Sequence, residues 1–391
     1  MIEMVTLSGK TKIKVGLIVD EYFGAAGTAF GGYGFLARRY IAKYLPNTEI
    51  EVEVLLGKGK FYFKSENNSV DGVNVYRLPK KRWFASRWLQ KKNYDLYLSI
   101  ELTYSYVLEC ERDIKKKLIL WIQDPRPQYE WEEINTVKLF PEPSYYNQKI
   151  YDLVNSWYKN DRVKFVSQGY FLNSKAIDLY DLDKGIQIDY LPNPIEIDNS
   201  FDYDIMKKEN IIIFLGRIES VKRGWLFCEI AKMMPQYQFY ILGKTFRDDG
   251  KNSKIMEEYY KLPNLHFAGH VDGDEKTSYL KRAKILINTS IHEALPISFL
   301  EALSYGTLLV SNRNPENLTS KFGIFVGDVL GDGYDKVHLY CEAVDKLMNN
   351  NLLSEKMANE AIEYIKEIHN VEDFSKNMRK IILEEIRREY D

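Results

Sequence analysis

The sequence predicts an α/β protein built from two parallel sheets in tandem, and three observations carry that prediction. Short β-branched runs alternate with longer segments of helical periodicity, the arrangement of parallel strands joined by crossover helices. The alternation restarts at Ile211-Ile212-Ile213-Phe214-Leu215, so the series occurs twice. Between the two series, Pro192-Asn193-Pro194 stops regular structure and leads into the polar, acidic stretch Glu196 to Asp204, where the domain linker is placed. At 391 residues the chain is long enough to bury a sizeable core in each of two or three domains.

In the first series, a strand at Ile13 to Val19 is followed by a glycine-rich loop and an amphipathic helix near Phe35 to Tyr44. Further strands fall at Glu51 to Leu55, Val73 to Arg77, Leu96 to Ile100, Leu118 to Trp121 and Val163 to Val166. The second series places strands at Ile211 to Leu215, Phe239 to Leu242, Leu265 to Ala268, Ile285 to Asn288 and Leu308 to Ser311, each with a helical segment behind it. From Tyr334 onward the pattern is helical only. Its last stretch, Val371 to Tyr390, carries Phe374, Met378, Ile381, Ile382 and Ile386 at helical spacing and is expected to pack on a domain surface. No solenoid period or low-complexity tract interrupts this organisation.

Composition narrows the function classes. An apolar fraction of 45% and a charged fraction of 28% are those of an ordinary globular protein, and 54 basic against 56 acidic side chains leave a net charge of -2, with no bulk basicity for nucleic acid. Cys110, Cys228 and Cys341 lie too far apart for a zinc-finger spacing or a disulfide framework, which fits a reducing compartment. Residues 1–10 lack the apolar core of a signal peptide and no later run is long enough to span a bilayer, so the expectation is a cytoplasmic protein, soluble or peripherally attached at the inner face of the membrane.

Open parallel sheets bind ligands at the carboxyl ends of their strands, so the site is expected in a cleft between the domains and its motifs just after strands. After the strand ending at Leu215 comes Gly216-Arg217-Ile218-Glu219-Ser220-Val221-Lys222-Arg223-Gly224, with a helix from about Trp225. Three cations beside glycine-flanked amides and a helix start suit a diphosphate, or else make a basic surface turn. A second constellation, Ser290-Ile291-His292-Glu293-Ala294-Leu295-Pro296-Ile297-Ser298-Phe299-Leu300-Glu301-Ala302, also follows a strand. Pro296 suits the first helical turn, which puts Glu293 in the loop and Glu301 more than one turn along the helix, in reach of different hydroxyls of one extended ligand. Taken singly, each carboxylate also reads as a solvated helix residue or a charge on the helix dipole.

Order and spacing together make this half resemble the carboxyl-terminal domain of retaining GT-B glycosyltransferases of the family 4 type, the group 1 glycosyl transferases. The likeness rests on the Gly-Arg loop with Lys222, on Phe267-Ala268-Gly269-His270-Val271, on Glu293 with seven residues before Glu301, and on Glu301-Ala302-Leu303-Ser304-Tyr305-Gly306-Thr307. It implies a GT-B architecture of two Rossmann-like domains facing a central cleft. The implied domains are an acceptor-side domain over 1–198, a nucleotide-sugar domain over 199–370, and a helix over 371–391 that packs back on the first. It further implies that Arg217 and Lys222 hold the donor diphosphate, with Arg223 able to take the place of Lys222. Glu293 would contact the donor sugar, Glu301 the ribose hydroxyls, and His270 with Val271 the base. Gly216, Ala294, Leu295, Pro296 and Ile297 would line the donor. Arg217, Lys222 and Glu293 are the candidate catalytic set.

The first half is similar to the same family through Gly31-Gly32-Tyr33-Gly34 after the first strand and Leu191-Pro192-Asn193 before the linker. Gly31 and Gly32 would let the backbone approach the phosphates or sugar, or form a flexible turn. After the strand at Leu118 to Trp121, where many relatives carry His-Asp, this chain has Gln123-Asp124-Pro125-Arg126, and all five histidines lie in the second half. Gln123 can hydrogen-bond a hydroxyl but does not titrate, so it joins Glu21, Glu101 and Asp124 as an acceptor-side candidate while only those three carboxylates could take a proton.

Two further tracts stand out. Lys80 to Lys92 holds six basic residues, three aromatics and no acid; it suits an anionic membrane surface, or has Trp83 and Trp88 packed under a sheet. Trp121 to Tyr146, rich in Tyr, Trp and Pro, makes an acceptor-binding lip or a packed surface loop. The resemblance implies transfer of a sugar from a nucleotide-sugar donor to a glycan or glycolipid acceptor, with retention of configuration and with the two halves closing around the donor. No clustered carboxylates are evident to hold a divalent ion, so neither an obligate metal nor a cofactor is expected. The rival classes are another GT-B enzyme, such as a sugar-nucleotide epimerase or phosphorylase, and a non-catalytic sugar- or nucleotide-binding subunit.

Overall fold

The structure is a computed structural model that describes residues 12–245 and 250–387. The opening decapeptide read above for targeting lies outside the described residues, as do residues 388–391 at the end of the chain.

The first sheet has eight strands: β1 (Ile13–Ile18), β2 (Ile50–Lys58), β3 (Glu66–Val70), β4 (Val73–Leu78), β5 (Leu96–Ile100), β6 (Lys117–Ile122), β7 (Val163–Ser167) and β8 (Asp189–Tyr190). Their spatial order is β3-β4-β2-β1-β5-β6-β7-β8, parallel throughout except for β3, which pairs antiparallel with β4. The second sheet has six parallel strands: β9 (Glu209–Leu215), β10 (Gln238–Leu242), β11 (Leu265–Gly269), β12 (Ala283–Asn288), β13 (Leu308–Ser311) and β14 (Gly323–Phe325). Their order is β11-β10-β9-β12-β13-β14, the doubly wound arrangement. The α/β class with two parallel sheets is thus the observed one. Three short strands go beyond the sequence reading. β3 is polar, and β8 and β14 are only two and three residues long.

The apolar run of β9 follows from burial on both faces. Ile212 and Phe214 point into one cluster with Trp225, Phe227 and Tyr340, while Ile211 and Ile213 point into the other with Phe299, Leu300 and Leu303. This two-sided packing fixes where β9 ends, and so where its following loop begins.

The chain divides into two compact units, one of residues 1–125, 147–194 and 371–391, the other of 126–146 and 195–370. The linker expected at Glu196 to Asp204 is close to the Pro194/Ile195 boundary. The interval 126–146, expected within the first domain, belongs instead to the second unit. The cause is burial of Ile134, Val137 and Phe140 in that unit's core, where the Phe140 ring stacks on Trp225 at 5.6 Å. Two polar bonds to the backbone of this strap add to the burial, from Phe140 N to Asn252 Oδ1 at 3.2 Å and from Lys138 N to Asp332 Oδ1 at 2.9 Å. The helix Val371–Arg387 belongs to the first unit. Phe374 lies 5.1 Å from the Trp121 ring, Arg379 donates to the carbonyls of Tyr44 and Leu45, and Lys117 pairs with Glu385.

Candidate active site

In the second sheet the winding direction reverses between β9 and β12, so the loops leaving those strands lie side by side at the switch point, where doubly wound sheets take ligands. Residues 216–223 follow β9 and residues 289–296 follow β12. Ile291 N donates to Val221 O at 2.8 Å, and Thr289 Oγ1 to the carbonyls of Lys222 (2.8 Å) and Arg223 (3.0 Å), which stitches the loops together. On the other flank, Ile218 N donates to Lys244 O at 2.9 Å. A Cβ on Gly243 would sit 1.8 Å from Gly216 O, so this close approach requires glycine.

Lys222 and Glu293 meet across the stitched loops. The Lys222 ammonium donates to Glu293 Oε1, which also accepts from Ser290 Oγ at 2.5 Å and Asn288 Nδ2 at 3.2 Å. Burial alone would push the Glu293 carboxyl up, but the Lys222 charge and these three hydrogen bonds hold it below the usual carboxylate range. Arg217, with a side chain 42% exposed, reaches Glu219 Oε1 at 3.2 Å.

Arg223 is different. It adopts a left-handed backbone (φ 49°) and its side chain is fully buried. Its Nε donates to Thr289 O at 2.6 Å and its Nη1 to Gly331 O at 2.9 Å. Burial pulls its guanidinium down to about 10. Arg223 therefore binds the loops to each other rather than facing a ligand, and of the two adjacent cations it is Lys222 that is partly exposed.

The helix Ile297–Ser304 starts directly behind Pro296, so Ile297 and Ser298 supply first-turn amides, and Glu301 stands one turn further on. Glu301 is not a lone solvated residue. Lys276 Nζ, from the helix Gly273–Arg282, donates to its Oε1 at 2.7 Å. Ala294 and Leu295 are buried, the Val271 side chain belongs to the core, and His270 beside it is exposed.

Glu219 was passed over in the sequence, being framed by more conspicuous cations. It is buried, its Oε2 has no hydrogen-bond partner, and its carboxyl is pushed up to about 7. Burial is the main cause. The Arg217 and Lys222 charges oppose it, while those of Glu142 and Glu293 reinforce it. Glu142 comes from the 126–146 strap and accepts from Ser220 Oγ at 3.1 Å. The same strap brings Glu133 Oε2 to 2.7 Å from His292 Nε2. The aromatic tract read as a lip or a packed loop is thus packed against the second unit over its 126–146 part, with carboxylates on both switch-point loops.

In the first sheet the winding reverses between β1 and β5. Glu21, after β1, accepts from Gly31 N at 3.1 Å and from Gly34 N at 3.3 Å. A Cβ on Gly31 would fall 1.8 Å from Glu21 Oε1, so this glycine is needed to seat a carboxylate of the same loop. Gly32 opens the short helix Gly32–Phe35, which continues as a wider π turn over Leu36–Ile41. Glu101 is buried after β5. Its Oε2 accepts from Gln123 N at 3.0 Å and Asp124 N at 2.9 Å, its Oε1 from the Tyr180 hydroxyl, and burial raises its carboxyl. Gln123 is buried in an amide network, donating to Asn193 Oδ1 at 2.9 Å while Asn193 donates to Gln168. Glu101 and Gln123 are thus buried and engaged in joining the segments that follow the strands, while Asp124, like Glu21, is half-buried. Among the described residues, no three His, Cys, Asp or Glu side chains gather to hold a metal, and no helix is long and apolar enough to cross a membrane.

Residues 196–367 match the family model described as glycosyl transferases group 1. No curated protein matches the chain. Among solved structures, sucrose-phosphate synthase from Thermosynechococcus elongatus is similar at 13% identity and a TM-score of 0.70, with 95% of this chain and 99% of that one covered. Anabaena HepE in complex with UDP-glucose is similar at 11% identity and a TM-score of 0.65, covering 95% and 100%. A glycosyltransferase from Rickettsia africae is similar at 11% identity and a TM-score of 0.66, covering 96% and 99%. At these identities the likeness establishes the fold. Residues 196–367 thus match the group 1 glycosyl transferase model, within a chain that has the two-sheet GT-B fold.

Proposed function

We propose that the protein transfers a sugar from a nucleotide-sugar donor to a hydroxyl of a glycan or glycolipid acceptor, with retention of configuration and without an obligate metal. The observation that carries the proposal is the meeting of Lys222 and Glu293 at the switch point of the second sheet, beside Arg217, within the segment that matches the group 1 family. The HepE complexes with UDP and UDP-glucose support a nucleotide-sugar donor as the ligand class.

The chemistry follows from charge. As the bond between the anomeric carbon and the diphosphate oxygen breaks, negative charge grows on the leaving group. In this reading the Lys222 ammonium, the Arg217 guanidinium and the first-turn amides of Ile297 and Ser298 stabilise it. The acceptor oxygen forms the new bond on the face the diphosphate leaves, and the acceptor proton passes to the departing phosphate oxygen. Glu293, kept ionised by Lys222, accepts from a donor-sugar hydroxyl, and Glu301 from the ribose. The test is turnover of nucleotide sugars with glycan and lipid-linked acceptors, read as nucleoside diphosphate release and as the anomeric NMR coupling of the product. Release with an α-linked product from an α-linked donor, unchanged by chelator, is expected. An inverted product, or activity abolished by chelator and restored only by a divalent cation, would overturn the proposal.

A further inference from the structure

We propose that the face formed by residues 57–65 and the helix Arg82–Lys92 docks on an anionic lipid bilayer. This inference goes beyond the donor chemistry and does not depend on it. The basic stretch was legible in the sequence, but the aromatic tip that completes the surface, Phe61-Tyr62-Phe63, lies in the loop after β2, and only folding brings the two together. Lys80 N donates to Phe61 O at 2.7 Å and Lys81 N to Tyr62 O at 3.1 Å, which pins the tip beside the start of the helix. The rings then form a row. Phe63 lies 5.0 Å from Phe84, and Phe84 lies 4.7 Å from Trp83, both edge to face.

Phe61, Tyr62, Phe63 and Trp83 are 45%, 52%, 61% and 57% exposed. Four adjacent large rings left in water mark an interaction surface. Of the two tryptophans expected to pack under the sheet, only Trp88 does so, against Tyr76 at 5.1 Å. Lys58, Lys60, Lys64, Lys80, Lys81, Arg87 and Lys91 are exposed on the same two segments, residues 57–65 and 79–92 contain no Asp or Glu, and of their cations Arg82 is paired with Glu109. The partner is therefore anionic. Its class follows from how the rings are used. Lys64 lies over Phe61 at 4.6 Å, Lys80 over Tyr62 at 5.0 Å, Lys81 over Phe63 at 5.3 Å and Arg87 over Trp83 at 5.6 Å. With ring faces capped by cations, stacking on a base or a sugar is obstructed. Ring edges entering the headgroup layer, with lysines reaching the phosphates, fit the same geometry.

The test is sedimentation of the full chain with vesicles of phosphatidylcholine alone or of equimolar phosphatidylcholine and phosphatidylglycerol, in about 0.1 M salt. Binding is expected only to the anionic vesicles. The Lys80→Ala/Lys81→Ala variant should weaken it about 30-fold, because each surface cation contributes about fivefold. The Phe63→Ser/Trp83→Ser variant should weaken it further at an unchanged melting temperature, since these side chains are exposed. Absence of binding to the anionic vesicles, equal binding by all three proteins, or displacement of vesicles by single-stranded RNA or heparin at stoichiometric amounts would overturn the proposal. Both variants keep the donor site, so a thermal shift with nucleoside diphosphate separates failure here from failure of the glycosyl-transfer reading.

Discussion

Replacing Lys222 by methionine removes the ammonium while keeping most of the side-chain volume, and the structure sets the size of the effect. Glu293 would be left with Ser290 and Asn288 as donors, in a site where its side chain is 9% exposed. Breaking a fully buried pair costs about 3–5 kcal/mol and losing an exposed one about 0–1. With Lys222 itself 26% exposed, we expect about 2 kcal/mol, between these limits. For a unit of this size that is a melting-temperature loss of about 4–8 °C. The pH dependence has a definite sign. In the wild-type protein the Glu293 carboxyl is lowered below 4.5, so its stabilising contribution is present above that value and is lost as pH falls through the lower folded value. Without Lys222, burial dominates and the carboxyl rises, so the penalty grows as pH climbs above 4.5. The gap between Lys222→Met and wild type should be smaller near about pH 4 than near about pH 8, where it is full. Thermal unfolding at both values, with Glu293→Gln and the double variant closing a cycle, measures it. A gap that does not change with pH, or a coupling under about 0.5 kcal/mol, would refute this account of the pair.

Three further outcomes follow from the same geometry. Arg223→Ala leaves the carbonyls of Thr289 and Gly331 without their donors and opens a cavity, so urea unfolding should register a loss of about 3–5 kcal/mol. Glu219, raised to about 7 by burial, binds its proton more tightly folded than unfolded, so wild-type stability falls as pH rises from 4.5 to about 7. Glu219→Gln should remove that decline and gain about 2–3 kcal/mol near about pH 8, but nothing near 4.5, in unfolding curves taken across the range. Gly243→Ala forces a Cβ against Gly216 O, and its melting temperature should fall in line with a cost of about 1–3 kcal/mol.

The parallel strands were legible because burial on both faces writes them as continuous apolar runs, as in Ile211 to Leu215. The hairpin of β3 was not, since its strand reads Glu-Asn-Asn-Ser-Val. The signal that would have found it is the Asp71-Gly72 pair, whose positive φ values of 52° and 79° close a two-residue turn. Lys222 and Glu293 were legible as loop residues behind strands, but the adjacency of those strands and the residues' neighbours were not. Whether Lys222 or Arg223 faces outward depends on the left-handed backbone at Arg223, which no composition or spacing encodes. The partners Glu142 of Ser220 and Glu133 of His292 lie 78 and 159 positions away, on a strap whose allegiance is decided by where Ile134, Val137 and Phe140 find a core. Gln123 looked like a weakened ligand, yet its partners Asn193 and Gln168 make it part of a buried amide network.

Calorimetric titration of a nucleoside diphosphate into the wild-type protein and into Arg217→Ala and Lys222→Ala tests the central claim most directly. The account predicts that each substitution weakens binding at least about tenfold, as loss of a charge-assisted contact to phosphate should. Wild-type affinity in both variants would contradict it.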